Sequence, residues 1–142
     1  MIVRRILVAT DGTDGALRGV AAAADMAASY GAELLLITAV PVPQHVVSAT
    51  VVQGQTVSEY VERMAADALD SSAAVLNERK VGAEIKIVLG NPAESVVSEA
   101  AALGVDLVVM GRRGRVAPKD LVLGSVTDRV ARNVTVPILL VP

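Results

Sequence analysis

The sequence predicts an α/β fold, an open doubly wound parallel sheet of five strands with helices on both faces, and three observations predict it. Aliphatic runs of strand length alternate five times with stretches whose apolar residues recur at helical spacing, and right-handed crossovers turn that alternation into a parallel sheet. Hydrophobic residues make up 53% of the chain and charged ones 20%, with a mean hydropathy of +0.54, so disorder is excluded and burial is extensive. There is no Phe or Trp and there are two Tyr, so Val, Leu, Ile and Ala must build the core, as expected for strands covered on both faces. At 142 residues the chain suits one domain over residues 1–142.

Ile2 to Ala9 reads as the first buried strand, and the polar turn Thr10-Asp11-Gly12-Thr13 ends it. Leu17, Val20, Ala21, Ala24 and Ala28 then mark the apolar face of a helix, with Gly31 placed for a left-handed cap. Glu33 to Val40 is the second strand, and Pro41 and Pro43 open a loop that reaches Gln55. Thr56 and Glu59 form a capping-box start for a helix carrying Val57, Tyr60, Val61, Met64, Ala68 and Val75, which ends before Gly82. Ala83 to Leu89 alternates, with Glu84 and Lys86 facing away from Ile85 and Ile87, which suits an edge strand. Asn91 caps the next helix with Pro92 in its first turn, and Val96, Val97, Ala100 and Leu103 face the sheet. Asp106 to Met110 is a strand, Gly111 to Gly124 a glycine-punctuated loop, Ser125 to about Arg132 a short helix, and Pro137 to Val141 the last strand.

Thirteen Lys and Arg against fifteen Asp and Glu leave a net charge of −2, which does not suit a surface that wraps a polyanion. The lack of stacking aromatics argues against single-stranded nucleic-acid binding. Cysteine is absent, so thiolate catalysis and thiolate zinc sites are excluded, and a cytoplasmic location is expected. No apolar run is long enough to span a membrane. The single His45 reads as a solvated loop residue, and neither a phosphate-binding G-x-x-x-x-G-K-[ST] nor a dinucleotide G-x-G-x-x-G occurs. No catalytic residues and no side-chain metal ligands are predicted, since Asp11 has no second carboxylate near it and no residue stands out to activate water.

In doubly wound sheets ligands sit beyond the carboxyl ends of the strands, so the turns there are the places to seek function. Gly111-Arg112-Arg113-Gly114, followed after nine residues by Gly124-Ser125, lies between a strand and a helix. Its glycines let backbone N–H groups bend toward a phosphate chain, the helix start adds a positive dipole end, and Arg112, Arg113 and Arg115 add charge. A blander reading makes the glycines turn residues and Ser125 a helix cap with Asp128 completing the box. Asp11 is in the same way either a ribose or amine acceptor or a turn aspartate.

The glycine segment resembles the G-2x-G-9x-G-[ST] signature of the nucleotide-binding branch of the universal stress protein family, with each fixed position filled. Ile6-Leu7-Val8-Ala9-Thr10-Asp11-Gly12 is similar to that family's first strand and turn. Gly124-Ser125-Val126-Thr127-Asp128-Arg129-Val130, leading into Pro137-Ile138-Leu139-Leu140-Val141, is similar to its closing segment. The resemblance implies a five-stranded sheet in the order 3-2-1-4-5, a Rossmann-like fold of the adenine-nucleotide alpha hydrolase kind. It implies that Ala9, Thr10 and Asp11 meet the adenosine part of ATP, AMP or ADP, that Ala39 flanks the adenine, and that Met110 and Gly111 lie by the nucleoside. By the same resemblance Gly114, Gly124, Ser125, Val126 and Thr127 hold the phosphates, with any Mg²⁺ or Mn²⁺ held mainly through them. Ala9 stands where relatives often carry proline, and Arg112, Arg113 and Arg115 fall at variable motif positions. A homodimer in which Pro137, Ile138, Leu139, Leu140 and Val141 pair across a two-fold axis is also implied. The expected function is a regulatory ATP-binding module in stress response, read by a protein partner or by the dimer. The alternatives are a slow ATPase or nucleotide-dependent enzyme completed by a partner, and a transporter-accessory interaction domain.

Overall fold

The computed structural model describes residues 1–41, 51–52, 55–113 and 123–142. In chain order the elements are β1 (Arg5–Ala9), α1 (Asp14–Tyr30), β2 (Glu33–Val40), β3 (Val51–Val52), β4 (Gln55–Thr56), α2 (Val57–Arg79), β5 (Glu84–Leu89), α3 (Pro92–Ala102), β6 (Leu107–Gly111), α4 (Ser125–Asn133) and β7 (Ile138–Val141). The five long strands form one sheet in the order β5-β2-β1-β6-β7, the expected 3-2-1-4-5 once the small antiparallel β3-β4 pair is set aside. Every pairing in that sheet is parallel. The β3-β4 pair lies within the stretch read as a loop, while residues 42–50, with Pro43 and His45 among them, fall outside the described residues.

Strand alternation divides the core into two layers. Ile6, Val8, Leu36 and Val109 point to one face and pack with Val20, Ala23, Ala24 and Ala27 of α1 and Leu76 of α2. Leu7, Leu35, Ile37 and Val108 point to the other and pack with Val96 and Ala100 of α3 and Val130 of α4. Ile6, Leu7 and Val8 are fully buried, which stabilises the fold by about 1.5–3 kcal/mol for each side chain.

The helices rotate their faces relative to the spacing expected from sequence. On α1 the buried stripe is Ala16, Gly19, Val20, Ala23, Ala24 and Ala27, while Ala28 is exposed. On α2 it is Ala65, Ala68, Ser72 and Leu76, and Met64 is 53% exposed. In both helices the smallest side chains face inward, because a close helix-on-sheet approach gains more contact than burial of one larger group at a wider spacing. α2 ends before Gly82, as expected, and Lys80 takes the left-handed capping conformation at φ 56°. Gly31 caps α1 at φ 65°, and Asn91 caps α3 by accepting the Glu94 N–H at 3.1 Å, both as expected.

At the amino ends of the strands, Asp106 ties β1 to β6. Its Oδ2 accepts the Arg4 and Arg5 N–H groups at 2.8 and 3.0 Å, and these bonds hold its carboxyl below the ordinary carboxylate range. A group with a lowered folded-state pKa contributes stability above its unfolded value near 3.9, and loses that contribution as pH falls through the folded value. Asp106→Ala is therefore expected to destabilise the protein at neutral pH and to converge with the parent as pH drops below 4. Chemical denaturation at a series of pH values checks this, and a gap that persists unchanged at pH 2–3 contradicts it.

Candidate functional site

The chain reverses direction across the sheet between β1 and β6. From β1 it steps to β2 and β5 on one side, and from β6 to β7 on the other. Ile6, Leu7 and Val8 pair with Leu107, Val108 and Val109, so the turns leaving β1 and β6 emerge side by side at the switch point.

The turn after β1 is fixed from beneath by hydroxyls. Thr10 is 5% exposed; its N–H donates to the Ile37 carbonyl at 3.0 Å and its carbonyl accepts the Thr38 hydroxyl at 2.8 Å. The Thr10 hydroxyl shares a bond of 2.9 Å with Ser72 of α2 and accepts the Gly12 N–H at 3.1 Å. Gly12 adopts φ +79°, and a Cβ there would lie 3.0 Å from Ala68 Cα. The turn is thus pressed onto α2 and leaves Asp11 exposed at its tip. Asp11 Oδ1 accepts the Thr13 N–H at 3.0 Å and the Thr13 hydroxyl, and the Thr13 oxygen accepts the Ala16 N–H at the start of α1. Ser72 was not singled out in the sequence, although a lone hydroxyl at helical spacing between Ala68 and Leu76 signals a buried bond.

The end of β6 is set by backbone contact. A Cβ on Gly111 would lie 2.8 Å from Gly15 C and 3.0 Å from Ala16 N, and one on Gly19 would lie 3.4 Å from Gly111 N. The first glycine of the signature therefore lets α1 lie directly on β6. Met110 is buried with the α3-side core, so the crevice is offered its backbone and not its side chain. Arg112 donates its N–H to the Val141 carbonyl at 2.7 Å and accepts the Gly124 N–H at 2.9 Å, which clasps the two ends of the loop together beside β7. Arg112 Nε is buried with no hydrogen-bond partner among the described residues.

The helix α4 begins at this clasp. Its N-cap is Gly124, with no side-chain cap bond, whereas Thr13, Thr56 and Asn91 cap α1, α2 and α3 with their side chains. Ser125 is thus not the cap that the blander reading made it, because it already sits inside the first turn. Asp128 pairs instead with Arg132, one turn on, at 3.0 Å. The Thr127 hydroxyl donates to the Gly111 carbonyl at 2.9 Å and holds α4 against β6. Ser125 is exposed and Val126 half-buried at the same helix start.

These contacts bring Thr10, Asp11, Gly111, Arg112, Gly124 and the first turn of α4 to one end of the sheet. Ala9 and Ala39 are half-buried near the ends of β1 and β2, and Arg113 follows Arg112 with its carbonyl 3.3 Å from the place a Gly15 Cβ would take. Gly114 and Arg115 lie outside the described residues. A cavity of about 520 Å³ opens at the opposite, amino end of the strands, between Arg4, Gly31 and Asp106. There Arg5 pairs with Glu33 at 2.8 Å, and Asp106 accepts the Arg4 and Arg5 N–H groups.

A five-stranded parallel sheet in this order, covered by helices and with a helix that starts without a side-chain cap beside the end of β6, defines a protein of the Rossmann-like α/β class. The match to the model of the universal stress protein family runs over residues 3–142, and the chain belongs to that family. Among relatives, a universal stress protein of Thermus aquaticus is 35% identical over 141 residues, covering 97% of this chain and 98% of that one. A universal stress protein solved in complex with cAMP is 26% identical, covering 100% of this chain and 99% of the other with a TM-score of 0.77. One from Archaeoglobus fulgidus in complex with dAMP shares the fold at 22% identity, 100% coverage of both chains and a TM-score of 0.69. Among the described residues no helix is long and apolar enough to cross a membrane.

Gly111→Ala is expected to cost about 1–3 kcal/mol, because the added methyl group must push α1 backbone away from β6. Gly82→Ala, where nothing lies within 4 Å, is the control expected to be near neutral. Urea denaturation of both variants measures the difference.

Proposed function

We propose that this protein binds an adenine nucleotide, ATP or its AMP and ADP relatives, at the carboxyl ends of β1 and β6. The observation that carries the reading is the start of α4, whose first turn has no side-chain cap and is held at the end of β6 by the Gly124 N–H on the Arg112 carbonyl and the Thr127 hydroxyl on the Gly111 carbonyl. First-turn amides and the helix dipole favour an anion, and phosphate oxygens would supply the acceptors that no side chain among the described residues supplies here. A buried Arg112 Nε with no partner among the described residues adds a donor that a phosphate oxygen could satisfy. Asp11 accepts from ribose hydroxyls, Ala9 and Ala39 border the base, and Gly114, Gly124, Ser125, Val126 and Thr127 line the phosphates through their backbone, with Arg113 and Arg115 alongside. Mg²⁺ or Mn²⁺ would be carried by the phosphates. Support comes also from the relative solved with cAMP, an adenine nucleotide.

The function we infer is regulatory and cytoplasmic: the nucleotide-bound state is read in stress response by a partner or within a homodimer. β7 is half-exposed at one edge of the sheet, and its Val141 carbonyl already holds Arg112 at the loop base. Pairing of Pro137 to Val141 with the same strand of a second copy would close that edge and join two loops to one interface.

Thermal unfolding of nucleotide-stripped protein with and without Mg-ATP tests the binding. Ligand at about 100 times its dissociation constant stabilises the native state by about 2.7 kcal/mol, a shift of several degrees in the midpoint. Gly124→Val is expected to abolish the shift while keeping the far-UV spectrum. Equal midpoints for the parent with and without adenine nucleotide would falsify the reading.

A further inference from the structure

The edge of the sheet opposite β7 carries a second surface, independent of the nucleotide site. β5 is its outermost strand and pairs only with β2 within the sheet. Gly90 donates its N–H to the Val40 carbonyl at 3.0 Å, and residues two apart on a strand direct their backbone groups the same way. Lys86 and Val88 therefore bond toward β2, and Ile85, Ile87 and Leu89 direct theirs outward. The side chains sort in the same alternation. Lys86 pairs with Glu99 of α3 at 2.7 Å and Val88 packs with the α3-side core, so Ile85, Ile87 and Leu89 project on the α1 and α2 side. Ile85 is 48% and Leu89 44% exposed, large apolar groups on a strand whose outer edge no other described strand pairs with.

We propose that β5 pairs antiparallel with β5 of a second copy, centred on Ile87. The argument for a second copy is that the strand is complementary to itself in this one register. A two-fold axis perpendicular to the sheet keeps each face on its own side, so only registers centred on one residue are open to it. Centring on Lys86 opposes two ammonium groups, which is destabilising. Centring on Ile85 engages only the first half of the strand, and centring on Val88 or Leu89 carries Ile85 past the partner's strand end, opposite residues 91 or 93. Centring on Ile87 places Ile85 opposite Leu89 of the second copy at both ends and Ile87 opposite itself. Each of those pairs consists of outward-directed residues, so each exchanges both its backbone hydrogen bonds. On the other face Lys86 meets Val88 and keeps Glu99, and no like charges are opposed. The contact is isologous, and it leaves β7 free, so both edges of the sheet can be closed at once.

The chain contains no cysteine, which makes single-cysteine reporters unambiguous. Residues facing each other as a hydrogen-bonded pair have Cα atoms about 5.5 Å apart, within disulfide reach. In the full chain, Ile87→Cys is expected to form a disulfide-linked species of twice the mass under mild oxidation. Ile85→Cys alone is expected to remain monomeric on a non-reducing gel, because its copies lie roughly 13 Å apart. A mixture of Ile85→Cys with Leu89→Cys is expected to cross-link. Sedimentation of a Ile85→Lys/Leu89→Lys double variant, with folding confirmed by circular dichroism, is expected to lose the largest assembly that the parent forms. An absence of Ile87→Cys linkage, linkage of Ile85→Cys to itself as readily as Ile87→Cys, or unchanged sedimentation of the double variant overturns the proposal. Nucleotide-dependent stabilisation should be the same in all of these variants, so failure here leaves the nucleotide reading untouched.

Discussion

The close approach of α1 to the end of β6 is the constraint on which the rest of the switch point depends. Gly111 meets Gly15 and Ala16, and Gly19 meets Gly111, with no side chain between them. Because the two backbones touch, α1 starts directly over the β1-β6 boundary, and the turn that feeds it carries Asp11 to the same end as the glycine loop. A methyl group at Gly111 would lever α1 away and with it both the turn and the core stripe of small residues behind it. The aliphatic composition follows from the same need: Ala16, Ala23, Ala24 and Ala27 let α1 stay as near to the sheet along its length as the glycines allow at its start.

Polar bonds then refine what packing places. The chain of hydroxyls from Ser72 through Thr10, with Thr38 on the Thr10 carbonyl, lies below the Asp11 turn and spans α2, β1 and β2. On the other side Thr127, Arg112 and Gly124 bind α4, β6 and the loop ends to one another. Each bond contributes about 1 kcal/mol, modest against the core, yet each satisfies a buried group that would otherwise lose its water without replacement. The start of α4 differs because its first turn has no side-chain cap, which leaves the donors that an anion would take.

Much of the fold was legible in the sequence because its signals are local. Apolar runs bounded by Gly31, Pro41, Asn91 and Gly111 mark strand and helix limits, and the caps at Thr56 and Asn91 are written within a few residues. The sheet order was legible only through family resemblance, since spacing says nothing about which strands are neighbours. The inward faces of α1 and α2 were misjudged for a related reason. Met64 and Ala28 look like core by hydropathy, but contact distance favours Gly19 and Ala65, and that distance is a property of the packed pair. Gly111 was read as a turn glycine or as a neighbour of the nucleoside, while it also answers to α1, a partner nearly a hundred residues earlier in the chain.

Hydrogen exchange at the amides of Gly12, Ser125, Val126 and Thr127, with and without Mg-ATP, is the most direct test of the site. If phosphates take the open donors at the start of α4 while the nucleoside rests on the Asp11 turn, exchange should slow at both segments together and by more than at the buried core of β1. Protection confined to some other face, or slowing at neither segment while nucleotide is bound, would contradict the account and detach the glycine loop from ligand binding.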